Sequence, residues 1–535
     1  MPFSDSHWIE LAAIAGTAAI LYANRRYRSL PLPPGPKKWP LVGNLFNMPS
    51  GFEWEQYIEW GKELGTDILH LEVLGQSIVV LNSYEACFEL LDRRSRLYSS
   101  RPTLGLPMEV MKLDYNVALL PYGKHSKVLA LHIRLTACYR RARRRLMHGM
   151  LHARAAKQYR PLEVKSVHAF LREMLNSGED SLAPELRHML SVVILGTAYG
   201  IDIQRNDSHV AEAEEAVRLL LEVTMPGKYL VNLVPALKHI PSWFPGAGFQ
   251  RKAREWRDVI QYVTDRPFLE VKQSMVRVEG VPLMPSFTSL SLEKGVEDEV
   301  IRDAAGTLYN AAADTSLITL LNFALAMLDN PEMQRRAQAE LDAVLGPLQL
   351  PGGAPGHLPE FADEPHLPFI TALVRETMRW MPVAPTGVPH AFTGEQPDVY
   401  QSYAIPRDAI VLPNIWAMTH DESVYPDPDT FKPERFLDSA GQLDPNVRDP
   451  GDIVFGFGRR VCPGRHMAYS SVWITVASTL RVYNIEKAKR PDGSIIEPPR
   501  KWTSALVLNP MPYKCLLVPR NEAAKEIIRS TEVNG

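Results

Sequence analysis

Four cysteines in 535 residues, Cys87, Cys138, Cys462 and Cys515, form no C-x-x-C pair. Their spread excludes a disulfide framework and fits a reducing, cytosol-facing compartment. Net charge is nearly absent: 59 Lys and Arg against 61 Asp and Glu leave −2. The basic excess that nucleic-acid binding requires is therefore missing. There is no internal repeat. There is also no unbroken N-terminal apolar run of the roughly 20 residues that a membrane span needs. Hydrophobic residues at 45% and charged residues at 22% are what a globular chain with a substantial core carries.

One targeting signal stands at the N-terminus. Residues 8–22 are apolar apart from Glu10 and Thr17, and Arg25, Arg26 and Arg28 follow. A secretory signal puts its positive charge before the apolar run, so the order here is reversed. The positive-inside rule then predicts a single-pass anchor over 1–29 with the body of the chain in the cytosol. The prolines of 30–44 fix φ and remove donors, which predicts a stiff spacer. Residues 68–81 hold two β-prone runs around Gly75-Gln76, a hairpin pattern. An Ala- and Leu-rich segment, Asp298 to Asp329, predicts a helix of roughly 48 Å, stopped by Pro331 and apolar almost all round in its second half. Residues 346–366 predict a surface loop, and Leu367 to about Trp380 a helix. Short β-prone runs follow between Val383 and Pro413, and helix is expected again only after Cys462. The charged tail beyond Pro519 is expected to be exposed or without structure.

The sharpest chemical signal is FGFGRRVCPG, residues 455–464. By default a lone cysteine is a small buried hydrophobe. Here Gly456, Gly458 and Gly464 permit tight turns and close approach to a flat ligand. A helix predicted over Arg465–Val482 would aim its free N–H groups and dipole at a Cys462 thiolate. Iron bound by such a thiolate receives electron density that favours O–O cleavage.

Phe455, Gly458, Arg460, Cys462 and Gly464 fill every fixed position of F-x-x-G-x-R-x-C-x-G, and the chain resembles the cytochrome P-450 superfamily. The resemblance implies a mainly α fold with small β-sheets: a single haem domain over 30–518, with 519–535 as a tail. It makes Cys462 the proximal ligand of haem b, pairs Arg460 with a propionate and has Phe455 shield the sulfur. Glu376 and Arg379, on one helix face at i and i+3, resemble the family's E-x-x-R and would join Arg435 of Pro433-Glu434-Arg435-Phe436 in a structural triad. AAADTS, residues 311–316, resembles the oxygen-activation motif, with Thr315 placed to hydrogen-bond oxygen and Asp314 to relay protons. Back-bonding of Thr315 to the preceding turn is the plainer expectation, and Ala312 stands where the family usually has glycine. His390 falls where the family has a propionate-binding Arg or His.

The family's arginine helix under the haem is displaced in this chain. Between Gly123 and RRLMHG lie about 14 extra residues, near 125–138. The propionate arginine is therefore either Arg144, counting from Leu146, or Arg143, if Tyr139 replaces the usual tryptophan. The extra stretch is either a surface loop bulging outward or translated intron.

With no flavin module after the haem-ligand region, electrons are expected from NADPH through a separate NADPH-cytochrome P-450 reductase at the endoplasmic reticulum membrane. Residues 241–249, PSWFPGAGF, are apolar enough to dip into lipid. Residues 225–253 are most similar to fungal members that oxidise secondary metabolites, which implies a lipophilic small-molecule substrate. A haem-thiolate isomerase or dehydratase, or an inactive haem scaffold, are the rival readings.

Overall fold

The computed structural model describes residues 30–532 apart from 122–129, 206, 226–227, 233, 277–283, 351–353 and 504–505, with 130–139 described by backbone alone. The expected anchor, residues 1–29, lies outside the described residues.

Helix dominates. The N-terminal part holds α1 (Glu53–Leu64) and an antiparallel hairpin, β1 (Ile68–Val73) and β2 (Gln76–Leu81). Its turn sits one residue earlier than the sequence suggests, at Leu74-Gly75, both with positive φ. The middle holds α2 (Ala130–Leu151), α3 (Arg160–Met174), α4 (Leu182–Tyr199), α5 (Ser208–Thr224) and α6 (Phe249–Val276). Then come α7 (Asp298–Asp329), α8 (Pro331–Leu345) and α9 (Pro368–Trp380). Strands β3 (His390–Ala391), β4 (Asp398–Tyr400), β5 (Tyr403–Ile405) and β6 (Ile410–Pro413) follow, and β6 and β3 extend the hairpin into a sheet of order β1-β2-β6-β3. The last long helix, α10 (Arg465–Val482), leads into the pair β7 (Tyr483–Lys487) and β8 (Cys515–Pro519), and α11 (Glu522–Ser530) ends the described chain.

The long helix α7 organises the core. It is long and apolar enough to cross a membrane, yet most of it is buried inside the protein. Its N-terminal half (Ile301, Ala304, Leu308) packs with Met147 and Leu151 of α2, Leu195 and Ala198 of α4, and Ile260 and Val263 of α6. Its C-terminal half (Leu320, Phe323, Met327) packs with Phe170 of α3, Phe369 and Leu373 of α9, and Trp473 and Leu480 of α10. Two large apolar cores thus share one helix, and the stretch between them is the site.

Three expectations fail. Helix returns before Cys462, as single turns at Ile415–Thr419, capped by the Asn414 side chain, and at Gly451–Val454. The tail is ordered: Asn521 caps α11, whose Ala524, Ile527 and Ile528 are buried in the core. The charges mask apolar residues at i, i+3 and i+4, which make the segment amphipathic. Finally, residues 130–138 of the extra stretch form the first turns of α2 and do not bulge as a loop; residues 125–129 lie outside the described residues. These turns precede Arg140, from which the described buried face of α2 begins. A chain lacking 125–138 is accordingly expected to take up haem as well as the full-length protein, measured as haem per polypeptide. Loss of haem would show that the segment is structural, and a spliced transcript that still encodes it would defeat the intron reading.

Candidate functional site

Residues 303–310 and 316–320 of α7 are all buried, but Ala311 and Thr315, one turn apart on one face, are exposed, and the three residues between them are half-exposed. A helix that crosses two cores has no reason to expose its midpoint unless that midpoint borders an internal space. The Thr315 hydroxyl donates back to the Ala311 carbonyl at 3.1 Å and the Ala312 carbonyl at 3.3 Å, the local bonding expected of a mid-helix threonine. Asp314 accepts from Arg187 of α4 at 2.6 Å, and Arg187 also reaches Glu214 of α5 at 3.1 Å. The Asp314 carboxylate is thereby linked to partly exposed groups on two other helices.

The cysteine loop is shaped by glycine. Gly456 and Gly458 have φ of +75° and +52°, and a Cβ on Gly458 would lie 2.3 Å from the Leu91 carbonyl oxygen. The Cys462 amide donates to the Phe455 carbonyl at 2.8 Å, which closes the loop. Cys462 is half-buried just ahead of α10. Burial raises its thiol, while the Gly464 amide, Arg144 and Arg465 favour the thiolate. A Cβ on Gly464 would stand 4.0 Å from the Cys462 sulfur and meet nothing else within that range. Glycine there leaves one flank of the sulfur open.

Around the loop the protein gathers buried cations. Arg460 donates to the carbonyls of Ser99 (2.7 Å), Val117 (3.0 Å) and Leu120. Arg101 donates to Ala118 at 2.9 Å and to Val388 and Pro389 at 2.8 Å each. Burial, with Arg144 beside it, brings the Arg101 guanidinium down to about 9. Arg144 donates to the Val461 carbonyl next to Cys462, and its own affinity for a proton is lowered by burial. His390 is buried with Nδ1 at 2.7 Å from the Tyr98 carbonyl, so Nδ1 carries the hydrogen. Burial first, then Arg101 and Arg460, hold its imidazole well below the usual histidine range. Like charges collected in a low-dielectric interior are unfavourable unless an anion joins them.

Of the two arginines left open by the sequence, only Arg144 turns toward Cys462. Arg143 pairs with Asp303 of α7. Sequence reasoning missed Arg101 altogether. It lies in SSRPT, a loop segment whose spacing gives no sign of its burial, and only the fold carries it to the site.

The remaining triad is assembled away from solvent. Arg379 and Glu376, both fully buried, meet at 2.7 Å, and Arg435 reaches the same carboxylate at 3.1 Å. The Lys432 amide adds a bond at 2.7 Å, while Arg379 donates onward to the Thr419 carbonyl at 3.0 Å.

A porphyrin with an iron centre fits this donor set. Among the described residues no group of three or more His, Cys, Asp or Glu is arranged to hold a bare metal ion. An iron bound through the single Cys462 sulfur must bring its other ligands with it. The open flank at Gly464 suits a flat macrocycle, and the buried cations suit its two carboxylates.

Known proteins point the same way. Residues 33–517 match the sequence profile described as cytochrome P-450. Cytochrome P-450 monooxygenase 98 of Postia placenta is 39% identical over 531 residues, 98% of this chain and 97% of its own. Tryptamine 4-monooxygenase of Psilocybe cyanescens is 35% identical over 97% of this chain and 99% of its own. Cytochrome P-450 monooxygenase claR of Ampulloclitocybe clavipes is 37% identical over 93% and 88%.

Proposed function

Because this chain belongs to the cytochrome P-450 family, and so is a haem monooxygenase, we propose that it inserts one oxygen atom of O2 into a lipophilic small molecule of fungal secondary metabolism. The observation that carries this reading is the exposed midpoint of α7 between two cores, in a fold that also brings buried cations around a half-buried thiol. Haem b, when bound, supplies the redox centre that activates O2.

This chain's residues do the rest. Cys462 ligates through its sulfur, with the Gly464 amide and Arg144 favouring the thiolate, and Phe455 packs against the core at the base of the loop. Arg460, Arg144, Arg101 and His390 receive the propionates. Gly464 would leave the flank of the sulfur open to the ring, while Gly458, expected beside the ring, instead lets the loop pack against Leu91. Thr315 holds a proton at Oγ1 on the exposed face of α7, and Asp314, held in place by Arg187, is the carboxylate that resupplies it. Glu376, Arg379 and Arg435 keep α9 fixed to the segment that precedes the cysteine loop.

Electrons come from NADPH through NADPH-cytochrome P-450 reductase. Residues 1–29 anchor the protein in the endoplasmic reticulum membrane with the haem domain in the cytosol. Trp243 and Phe244 of the 241–249 loop, 79% and 49% exposed, meet the lipid from which the substrate enters. The Psilocybe relative is named for an aromatic amine, which supports a small aromatic substrate.

The test is to reconstitute the protein with reductase in phospholipid vesicles and to screen lipophilic metabolites under labelled O2. The expected result is a product carrying one labelled oxygen atom. Turnover without reductase or NADPH would instead indicate the isomerase or dehydratase chemistry. A Thr315→Ala variant is expected to keep its haem but to lose productive turnover by roughly 10²-fold, the lower end of what a positioned proton donor contributes. NADPH consumption should continue and appear as peroxide or water, and unchanged coupling of NADPH to product would contradict the role given to Thr315.

A further inference from the structure

We infer that the ion pair between Arg143 and Asp303 sets the rotation of α2, so that Arg144 and not its neighbour faces the cysteine loop. Arg143 and Asp303 are then positioning residues for the haem site, an inference that rests on the roles given above to Cys462 and Arg144.

The sequence itself leaves α2 poorly phased. Arg140, Arg141, Arg143, Arg144 and Arg145 spread over about 200° of the helix circumference, because successive residues are about 100° apart. Apolar pattern speaks only toward the C-terminal end, where Met147, Met150 and Leu151 are buried. A rotation of one position would bring Arg143 to the cysteine loop and Ala142 opposite Asp303, or in the other sense Arg145 to the loop and Arg144 opposite Asp303.

The structure supplies the missing constraint from α7. Asp303 is nearly fully buried and takes Arg143 as its partner from α2. Arg302 of its own helix bonds the same carboxylate at 2.9 Å. Burial raises the Asp303 carboxyl, and Arg143 followed by Arg302 opposes that rise. The Arg143 guanidinium also donates to the Asp114 carbonyl at 2.9 Å, which ties it to the loop leading into the haem site. With Arg143 held in this buried clamp, Arg144 is left at the edge of the buried stripe, where it meets the Val461 carbonyl. Arg141, Arg145 and His148 face solvent. Setting the neutral Ala142 opposite a buried carboxylate is costly, so the pair disfavours the rotation that would bring Arg143 to the cysteine loop.

The test compares D303N, D303E, R143M, R143K, R144M and the double variant D303N/R143M as haem-loaded full-length protein. Two readouts are taken: the rate of haem transfer to apomyoglobin and the midpoint potential of the haem. R144M should lose haem roughly 10- to 100-fold faster and shift the potential, as for other groups that support a metal ligand from its surroundings. D303N and R143M should do the same through Arg144, with the double variant no worse than either single one. D303E and R143K, which keep the charges and fold even where D303N does not, should hold wild-type haem loss and potential. Wild-type behaviour in both D303N and R143M beside an altered R144M would overturn the inference and leave the site reading intact. An R143M effect larger than that of R144M would overturn it too, by making Arg143 the haem contact. A silent R144M would instead remove the propionate reading on which the inference stands.

Discussion

Replacing Glu376 with glutamine is expected to abolish haem-loaded protein. The carboxylate is fully buried and serves three partners at once, Arg379, Arg435 and the Lys432 amide. Its loss strands two guanidinium groups in the interior, one of them fully buried. Breaking a buried pair by removing one member costs about 3–5 kcal/mol, against a net stability of about 5–15 kcal/mol for a whole protein. A surface pair of the same sequence spacing would cost only ~0–1 kcal/mol, so the size of the effect separates the two readings. The effect is also local to the haem. Arg379 binds Thr419, and Arg435 binds the carbonyls of Pro426, Asp427 and Thr430. Together they brace the segment that runs on to the cysteine loop. Arg379→Ala should fail in the same way. Expression followed by the ratio of haem absorbance to protein measures both, and a Glu376→Gln protein with a full complement of haem would show that the triad is dispensable.

The parts of this protein that were legible in its sequence are those in which a local pattern decides the outcome. The bounds of α7 and α10 follow from apolar composition and from a proline or glycine at one end. The cysteine loop follows from glycines whose positive φ leaves little choice of residue. The ion triad needed three motifs in order along the chain.

What the sequence concealed is non-local. Arg101 looks like any loop arginine until the fold buries it beside Arg144 and His390. The engagement of Asp314 by Arg187, more than a hundred residues away, has no signature in either segment. Arg143 and Arg144 are equivalent in a run of arginines until the fold pairs the first with Asp303 and turns the second toward Val461. The tail misled for a different reason: its charges masked an apolar stripe of Ala524, Ile527 and Ile528 that α11 turns toward the core.

The central claim is that Cys462 supplies a thiolate to haem iron, and Cys462→Ala tests it with the largest spectroscopic effect available. The other cysteines with described side chains lie elsewhere in the fold: Cys87 is buried among the β-sheet residues and Cys515 in β8. Both have thiols pushed up by burial, that of Cys515 to about 12, so neither can stand in as a thiolate. Burial raises the Cys462 thiol as well, but there the Gly464 amide, Arg144 and Arg465 oppose the rise. The deciding measurement is the carbon monoxide difference spectrum of the reduced protein. Wild type should show the red-shifted Soret band of thiolate-ligated haem, and Cys462→Ala should lose it entirely even where some haem is retained through the cation cluster. A Cys462→Ala protein that kept that band would contradict the account at its root.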